Sequence, residues 1–451
     1  MSGLARWLGS GAESCSRSNA LVLDPLVARR SWRAWWIAIT IAFLWTVTFG
    51  VTIALVLSIG IGELGNNTTV VWGFPIANYV WWIGIGNAGT LISAMLLITR
   101  QHWRASINRS AEAMTLMAVS IAGLFPIIHL GRPLYFLWLL PYPNEMGIWP
   151  QWRSALIWDF WAILSYLLFS IIFWYTGLIP DLAVVRDAAR TRFGRLFYGS
   201  LCFGWRNSAR HWRIHQRFYY TMAGLAVPLV CSVHSIVGLD FAASLMPGWE
   251  EGIFPPYFVV GAMFSGFAMV AVLIAGLRWG FGFAPIITEK HFDMIGRMML
   301  LASLVLGLTY LTEWFTAWYS GDYAERRFTI YEMVGRYAPE YWLMICCNVI
   351  FPQAFWWRAV RQNIPVSLVI AVLVNVGMWL ERILIVWTTL SHSYSPTMWT
   401  AFLSTAVDWA MLGGSLGFFA FLYLCFVRIV PAATMFEVRE LVHERRQELK
   451  A

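Results

Sequence analysis

Stretches of roughly 20 consecutive apolar residues, separated by short polar loops, recur from residue 35 to residue 430. A segment of that length can cross a hydrocarbon layer only as a helix, because a helix satisfies its backbone hydrogen bonds internally. The alternating pattern of a membrane β-barrel is absent. The expected fold is therefore an all-α integral membrane protein. With 59% hydrophobic residues, 12% charged and a mean hydropathy of +0.61, a soluble enzyme is excluded. Residues 1–34 are polar, contain arginines and lack the apolar core of a signal peptide, so the first helix is expected to act as an uncleaved insertion signal.

About ten spans are expected, near 35–60, 76–99, 112–139, 154–178, 218–246, 254–278, 293–319, 340–358, 365–390 and 405–430. The net charge of +8 suggests nucleic-acid binding only until its distribution is read, because the arginines cluster in alternate loops. Arg100, Arg104 and Arg109 mark one loop, and Arg358 and Arg361 another. Between them, 179–217 holds Arg186, Arg190, Arg192, Arg195, Arg206, Arg210, Arg213 and Arg217 against Asp181 and Asp187. Loops 61–75 and 247–253 carry Glu63, Glu250 and Glu251 and no base. An even number of spans with both termini cytoplasmic, in a cell (inner) membrane, accommodates every loop.

Phe74-Pro75 and Phe254-Pro255-Pro256 each open a span from the outer face, four spans apart. An even offset implies two four-helix bundles of one orientation, a parallel repeat. The expected division is a cytoplasmic segment 1–34, a first helix 35–60, bundles over 76–246 and 254–390, a last helix 405–430 and a cytoplasmic tail 431–451. Residues 193–217 interleave aromatics with arginines, as an interfacial helix on anionic lipid would. His211 and His215 within it have metal-ligand spacing but no third ligand, which favours solvated histidines.

The chemistry lies in the few ionisable residues inside apolar runs, where a charge costs roughly 2.5–3.5 kcal/mol at a helix centre. His129, Asp159, His234 and Asp240, from three consecutive spans, all map to the outer third of the membrane. A hydroquinone releases two protons on oxidation, and a histidine with two partly buried carboxyls supplies acceptors for them. Tyr135, Trp138, Trp158 and Trp161 offer either a slot for the ring or an interfacial aromatic belt. Bis-His haem needs facing pairs, and only His129 and His234 lie in spans. The six cysteines form no C-x-x-C, so no haem, metal or flavin is expected on this chain. Further along, Glu313, Glu381, Arg382, Asp408, Asp293, Arg297, Asn348 and Asn375 are compatible with a proton path or with a structural ion-pair network. Adjacent Glu381 and Arg382 are expected to point to different faces and pair with other helices.

His129-Leu130-Gly131-Arg132-Pro133, Trp158-Asp159, Leu178-Ile179-Pro180-Asp181, Leu239-Asp240-Phe241-Ala242, Met246-Pro247-Gly248-Trp249, Ile253-Phe254-Pro255-Pro256-Tyr257-Phe258 and Trp379-Leu380-Glu381-Arg382 together resemble the NrfD-like (polysulfide reductase membrane subunit) family over nearly the whole chain. The Pro-Gly-Trp and Phe-Pro-Pro-Tyr-Phe stretch looks most like the quinol-oxidising type of membrane subunit found in alternative complex III. The resemblance implies a quinol:electron acceptor oxidoreductase subunit without cofactors of its own. Menaquinol or ubiquinol would bind near the periplasmic face at His129, Asp159 and Asp240. Electrons would pass to a periplasmic iron–sulfur subunit and on to c-type haem subunits, beside a paralogous membrane subunit. Proton roles are implied for Glu313, Glu381 and Arg382. Two other readings stay open: a quinone-reducing membrane anchor of a molybdenum oxidoreductase, and a secondary transporter suggested by the repeat and the buried acids.

Overall fold

The computed structural model describes residues 19–26, 32–66, 68–129, 135 and 152–439. Its helices are α1 (Trp32–Ile59), α2 (Phe74–Ile98), α3 (Asn108–Ala122), α4 (Phe125–His129), α5 (Ala155–Ala188), α6 (Arg192–Leu201), α7 (Ala209–Ala242), α8 (Phe254–Gly280), α9 (Glu289–Tyr319), α10 (Tyr323–Val334), α11 (Ala338–Ile345), α12 (Arg358–Gln362), α13 (Ile364–Ser391) and α14 (Ala406–Ile429). Among the described residues nine helices are long and apolar enough to cross a membrane, with α3 and α4 forming one of them. The chain is an all-α, multi-pass membrane protein.

The expected span at 340–358 is broken into pieces. α11 passes into a π-helical turn, Cys346–Ile350, and then a 3-10 stretch, Phe351–Trp356. Pro352 has no N–H to continue an α-helical ladder, and a π turn is a frequent mark of function. The segment still runs from face to face. Before it, the Tyr337 hydroxyl accepts from the Phe402 amide (2.9 Å); after it, Arg361 Nε donates to Asp293 (2.8 Å) at the start of α9.

Alternation of the long helices defines two faces. One, the site face, collects the starts of α2, α5, α8 and α14 and the ends of α4, α7, α9 and α13. α5 and α7 have 34 residues each, about 51 Å at 1.5 Å per residue, and so project beyond a ~30 Å hydrocarbon core on the opposite, arginine-rich face. This corrects the reading of 193–217 as one interfacial helix. Only α6 is separate, with Phe193 78% and Leu196 73% exposed; His211, Arg213, His215 and Arg217 stand on the first turns of α7.

α2 and α8 form the centre, packed on each other and on α3, α7, α9 and α13. Both open with Phe-Pro, the proline ring preset for a first helical turn. Their contacts depend on small residues. A Cβ on Gly89 would lie 2.0 Å from the Ala111 carbonyl oxygen, and one on Gly266 1.9 Å from the Ala88 Cβ. Close approach of this kind gives membrane helices dispersion contact where no hydrophobic drive exists between them.

Arg104 and Arg109, expected as loop charges, are instead 3% and 1% exposed on the arginine-rich face. Arg109 Nη2 donates to Asp181 (3.0 Å) and to the Gly177 carbonyl (2.8 Å). Arg104 pairs with Glu437, and Glu112 takes hydrogen bonds from Ser93 (2.6 Å) and Tyr219 (2.8 Å). A helix C-terminus alone would leave such charges open. Here residues 432–438, past α14, fold back over them, with the Met435 amide donating to Asp181 (3.2 Å).

Candidate functional site

α2, α5 and α7 bring three polar side chains together at the site face. Ser154 opens α5 in extended conformation, which places Asp159 in the second turn. Asp240 lies in the last turn of α7. Asp240 lies within electrostatic reach of Asp159 and of Tyr79 on α2. From α2, the Tyr79 hydroxyl donates to Asp159 Oδ2 at 2.7 Å. The remaining oxygens, Asp159 Oδ1 and Asp240 Oδ1, are buried and receive no N–H or O–H donor among the described residues. Tyr79 is 4% exposed. Sequence reading passed over it, because a tyrosine in a span looks like belt or core.

The two histidines stand apart from this pair. His129 ends α4, half-buried against α2, and makes no hydrogen bond to either aspartate among the described residues. His234 lies on α7 about 9 Å below Asp240 at helical rise, 1% exposed. Its Nδ1 meets Asn87 Nδ2 at 2.8 Å; an amide nitrogen only donates, so Nδ1 accepts and the proton sits on Nε2. Trp161 and Tyr135 are 38% and 43% exposed, as belt residues are. Trp138 and residues 130–133 lie outside the described residues.

The Met246-Pro247-Gly248-Trp249 turn braces the end of α7. Gly248 holds φ at +79°, and its amide donates to Glu325 on α10 (2.9 Å). The Trp249 indole donates to the Ile385 carbonyl (2.6 Å) and packs edge-on against Phe241. Asp240 is thereby held by a contact that ties α7 to α10 and α13.

A second polar group surrounds the π turn. Tyr310 donates to Glu381, and Asn348 Nδ2 donates to Glu381 Oε2 (3.2 Å) and to Tyr310 (3.1 Å). Glu381 and Arg382 pair with each other at 3.0 Å, against the expectation that they pair with other helices. The guanidinium reaches past its own helix to stack on Phe258 (4.0 Å from the ring centre). Phe258 in turn packs beside the His234 ring. A narrow cavity of about 60 Å³ runs from Glu381 and Tyr310 past Glu313 to Glu332, Glu325 and Glu251 on the site face. It adjoins a wider one of about 320 Å³ lined by Glu250, Glu251, Asp322 and Glu325. Burial, together with Glu325 nearby, pushes the Glu251 carboxyl up to about 7. Glu332 is pushed up to about 8 by burial, with the Thr388 hydroxyl partly opposing and Glu251 and Glu325 adding to it. Arg297 is not part of this group: it pairs with Asp293 (2.8 Å) at the far end of α9.

His215 Nε2 meets the Thr176 carbonyl (2.9 Å) and His211 Nδ1 accepts from the Arg206 amide (3.3 Å), so both are engaged in the fold. Among the described residues no group of three or more His, Cys, Asp or Glu is arranged to hold a metal.

The chain is similar to a putative dimethyl sulfoxide reductase membrane subunit of Halobacterium salinarum, at 25% identity over 49% of this chain and 49% of the relative. It is likewise similar to a selenate reductase subunit of Mesobacillus selenatarsenatis, at 25% identity over 45% of this chain and 47% of the relative. These matches span about half the length of each relative. The family model described as polysulphide reductase, NrfD, covers residues 62–392, from the loop before α2 to the end of α13. The chain belongs to the NrfD polysulphide reductase family.

Proposed function

We propose that the chain is the quinol-binding membrane subunit of an electron-transfer complex, and that quinol is oxidised at the site face beside Asp159 and Asp240. The observation that carries this reading is the half-buried Asp159 carboxyl held by the Tyr79 hydroxyl, with the half-buried Asp240 within electrostatic reach at the end of a spanning helix. Oxidising a quinol breaks two O–H bonds, and carboxylates at hydrogen-bond distance are suited to receive protons. Electrons would leave to an iron–sulfur subunit docked on the same face, with c-type haem subunits and a paralogous membrane subunit beyond it. In this reading the site face is periplasmic, the termini are cytoplasmic, and the membrane is the inner one. The division into bundles over 76–246 and 254–390 assigns the quinol site to the first and the Glu313–Glu381–Arg382 group to a proton route in the second. Arg297, away from that group, is left to a structural pair.

A second reading has the same site run in reverse, reducing quinone for a reductase; the names of the two relatives favour it. The test is photo-crosslinking with an azidoquinone in the intact complex, followed by peptide mapping and quinol:acceptor and donor:quinone assays on the same preparation. Label on α5 or α7 at the site face, displaced by excess quinol, supports the site, and the faster assay gives the direction. Label elsewhere, or none, removes the proposal.

A further inference from the structure

On the arginine-rich face, the segment that leaves α5 turns back toward the membrane. α5 ends at Ala188, about 20 Å beyond Tyr175 at helical rise. Yet the Tyr175 hydroxyl donates to the Leu201 carbonyl at the end of α6, and its ring meets Phe203 edge-on at 5.6 Å between centres. α6 therefore packs along α5 and runs back from its tip. Tyr198 donates to the carbonyl of Ile429 (2.8 Å), the last residue of α14. The helix is thus pinned to two crossing helices, close to the level where α14 ends.

α6 presents three faces. Gly194, Tyr198 and Leu201 pack inward. Phe193, Leu196 and Phe197, at i, i+3 and i+4, form an apolar stripe that is 78%, 73% and 41% exposed, with the two phenyl rings stacked. Arg192 and Arg195 form the third face and are exposed. Phe203, just past the helix, is 76% exposed. From Arg190 to Arg217 the sequence has seven arginines, and between Asp187 and Asp240 it has no acid. All seven are exposed, and none has an ion-pair partner among the described residues. Apolar rings flanked by unpaired guanidinium groups at a span end match one environment: acyl chains for the rings and phosphate for the arginines.

We infer that α6 is a re-entrant arm lying in the leaflet of the arginine-rich face, with Phe193, Leu196 and Phe197 among the acyl chains and Arg192 and Arg195 on the phosphates of anionic phospholipid. The lipid then fills the one side of α6 that neither α5 nor α14 covers. This is independent of the quinol site and of the direction in which electrons run.

A fluorescent amino acid at Ser200, one turn on from Leu196 and Phe197 on the same face, tests this in the intact complex held in nanodiscs of phosphatidylcholine and phosphatidylglycerol. Lipid brominated on its acyl chains should quench the probe, and aqueous iodide should not. At equal bromination, phosphatidylglycerol should be favoured over phosphatidylcholine by about fivefold, the scale of one arginine at an anionic surface. Arg192→Gln combined with Arg195→Gln should abolish that preference and keep the acyl-chain quenching. Leu196 takes the probe if the Ser200 variant does not assemble. Quenching by iodide alone puts α6 in water and overturns the proposal. Quenching by neither reagent means that a protein covers the face, which overturns it as well. Equal quenching by the two brominated lipids, or a preference that survives the double substitution, removes the anionic headgroup from Arg192 and Arg195 and overturns it too.

Discussion

At the residue scale, Asp159 gives the cleanest test of the proposed quinol site. Asp159→Asn is nearly isosteric and still accepts from Tyr79, so the complex should assemble at wild-type yield. Quinol oxidation should fall by roughly 10²–10⁴-fold, the usual share of a proton acceptor. Complex yield and activity measured on one preparation check this, and normal turnover would remove Asp159 from the site. Glu332 permits a test of the acid mouth. Its carboxyl is pushed up to about 8, so between about 4.5 and 8 the folded chain binds a proton that the unfolded chain has lost. Stability from this group therefore falls as pH rises through that window. Glu332→Gln should leave the melting temperature unchanged at pH 5 and raise it above wild type at pH 9. Asp159 and Asp240 were legible as candidates because a carboxylate in an apolar run is costly. Tyr79, Asn87 and Tyr310 were not, because in a span their side chains are as often core as site, and only the partner across the helix decides.

Among the elements, the small residues on α2 and α8 decide whether the centre forms. Gly266→Ala places a methyl 1.9 Å from Ala88, which the helices can relieve only by separating, at about 1–3 kcal/mol for overpacking. Gly276→Ala, on the same helix with nothing within 4 Å, should be tolerated. Thermal unfolding of the two variants side by side checks the contrast; equal melting temperatures would show that the contact is not limiting. Hydropathy located the spans to within a few residues at most ends. It overran at 340–358, because Asn348 and Pro352 create a break that apolar composition hides. It ended α5 early, because Pro180 and Asp181 read as a loop although the helix continues through them to Ala188.

For the whole molecule, single cysteines test the orientation. In a chain stripped of its own cysteines, one placed at Glu250 should react with an impermeant reagent added to the periplasmic side. One placed at Arg206 should react only after the membrane is opened; the reverse pattern would invert the topology. The expected orientation rests on the loop arginines, yet Arg104 and Arg109 among them are buried in ion pairs rather than free in a loop. Their burial bears on biogenesis. Arg104 finds Glu437 across nearly the full described chain, and Tyr423 and Thr434 reach the same floor through Ser110 and Asn108. The helices that carry Asp159 and Asp240 are inserted early, but their charged floor is sealed only by the segment that follows α14. Until then the arginines face the aqueous side, so the order of synthesis leaves the earlier helices waiting on a later stretch for their closure.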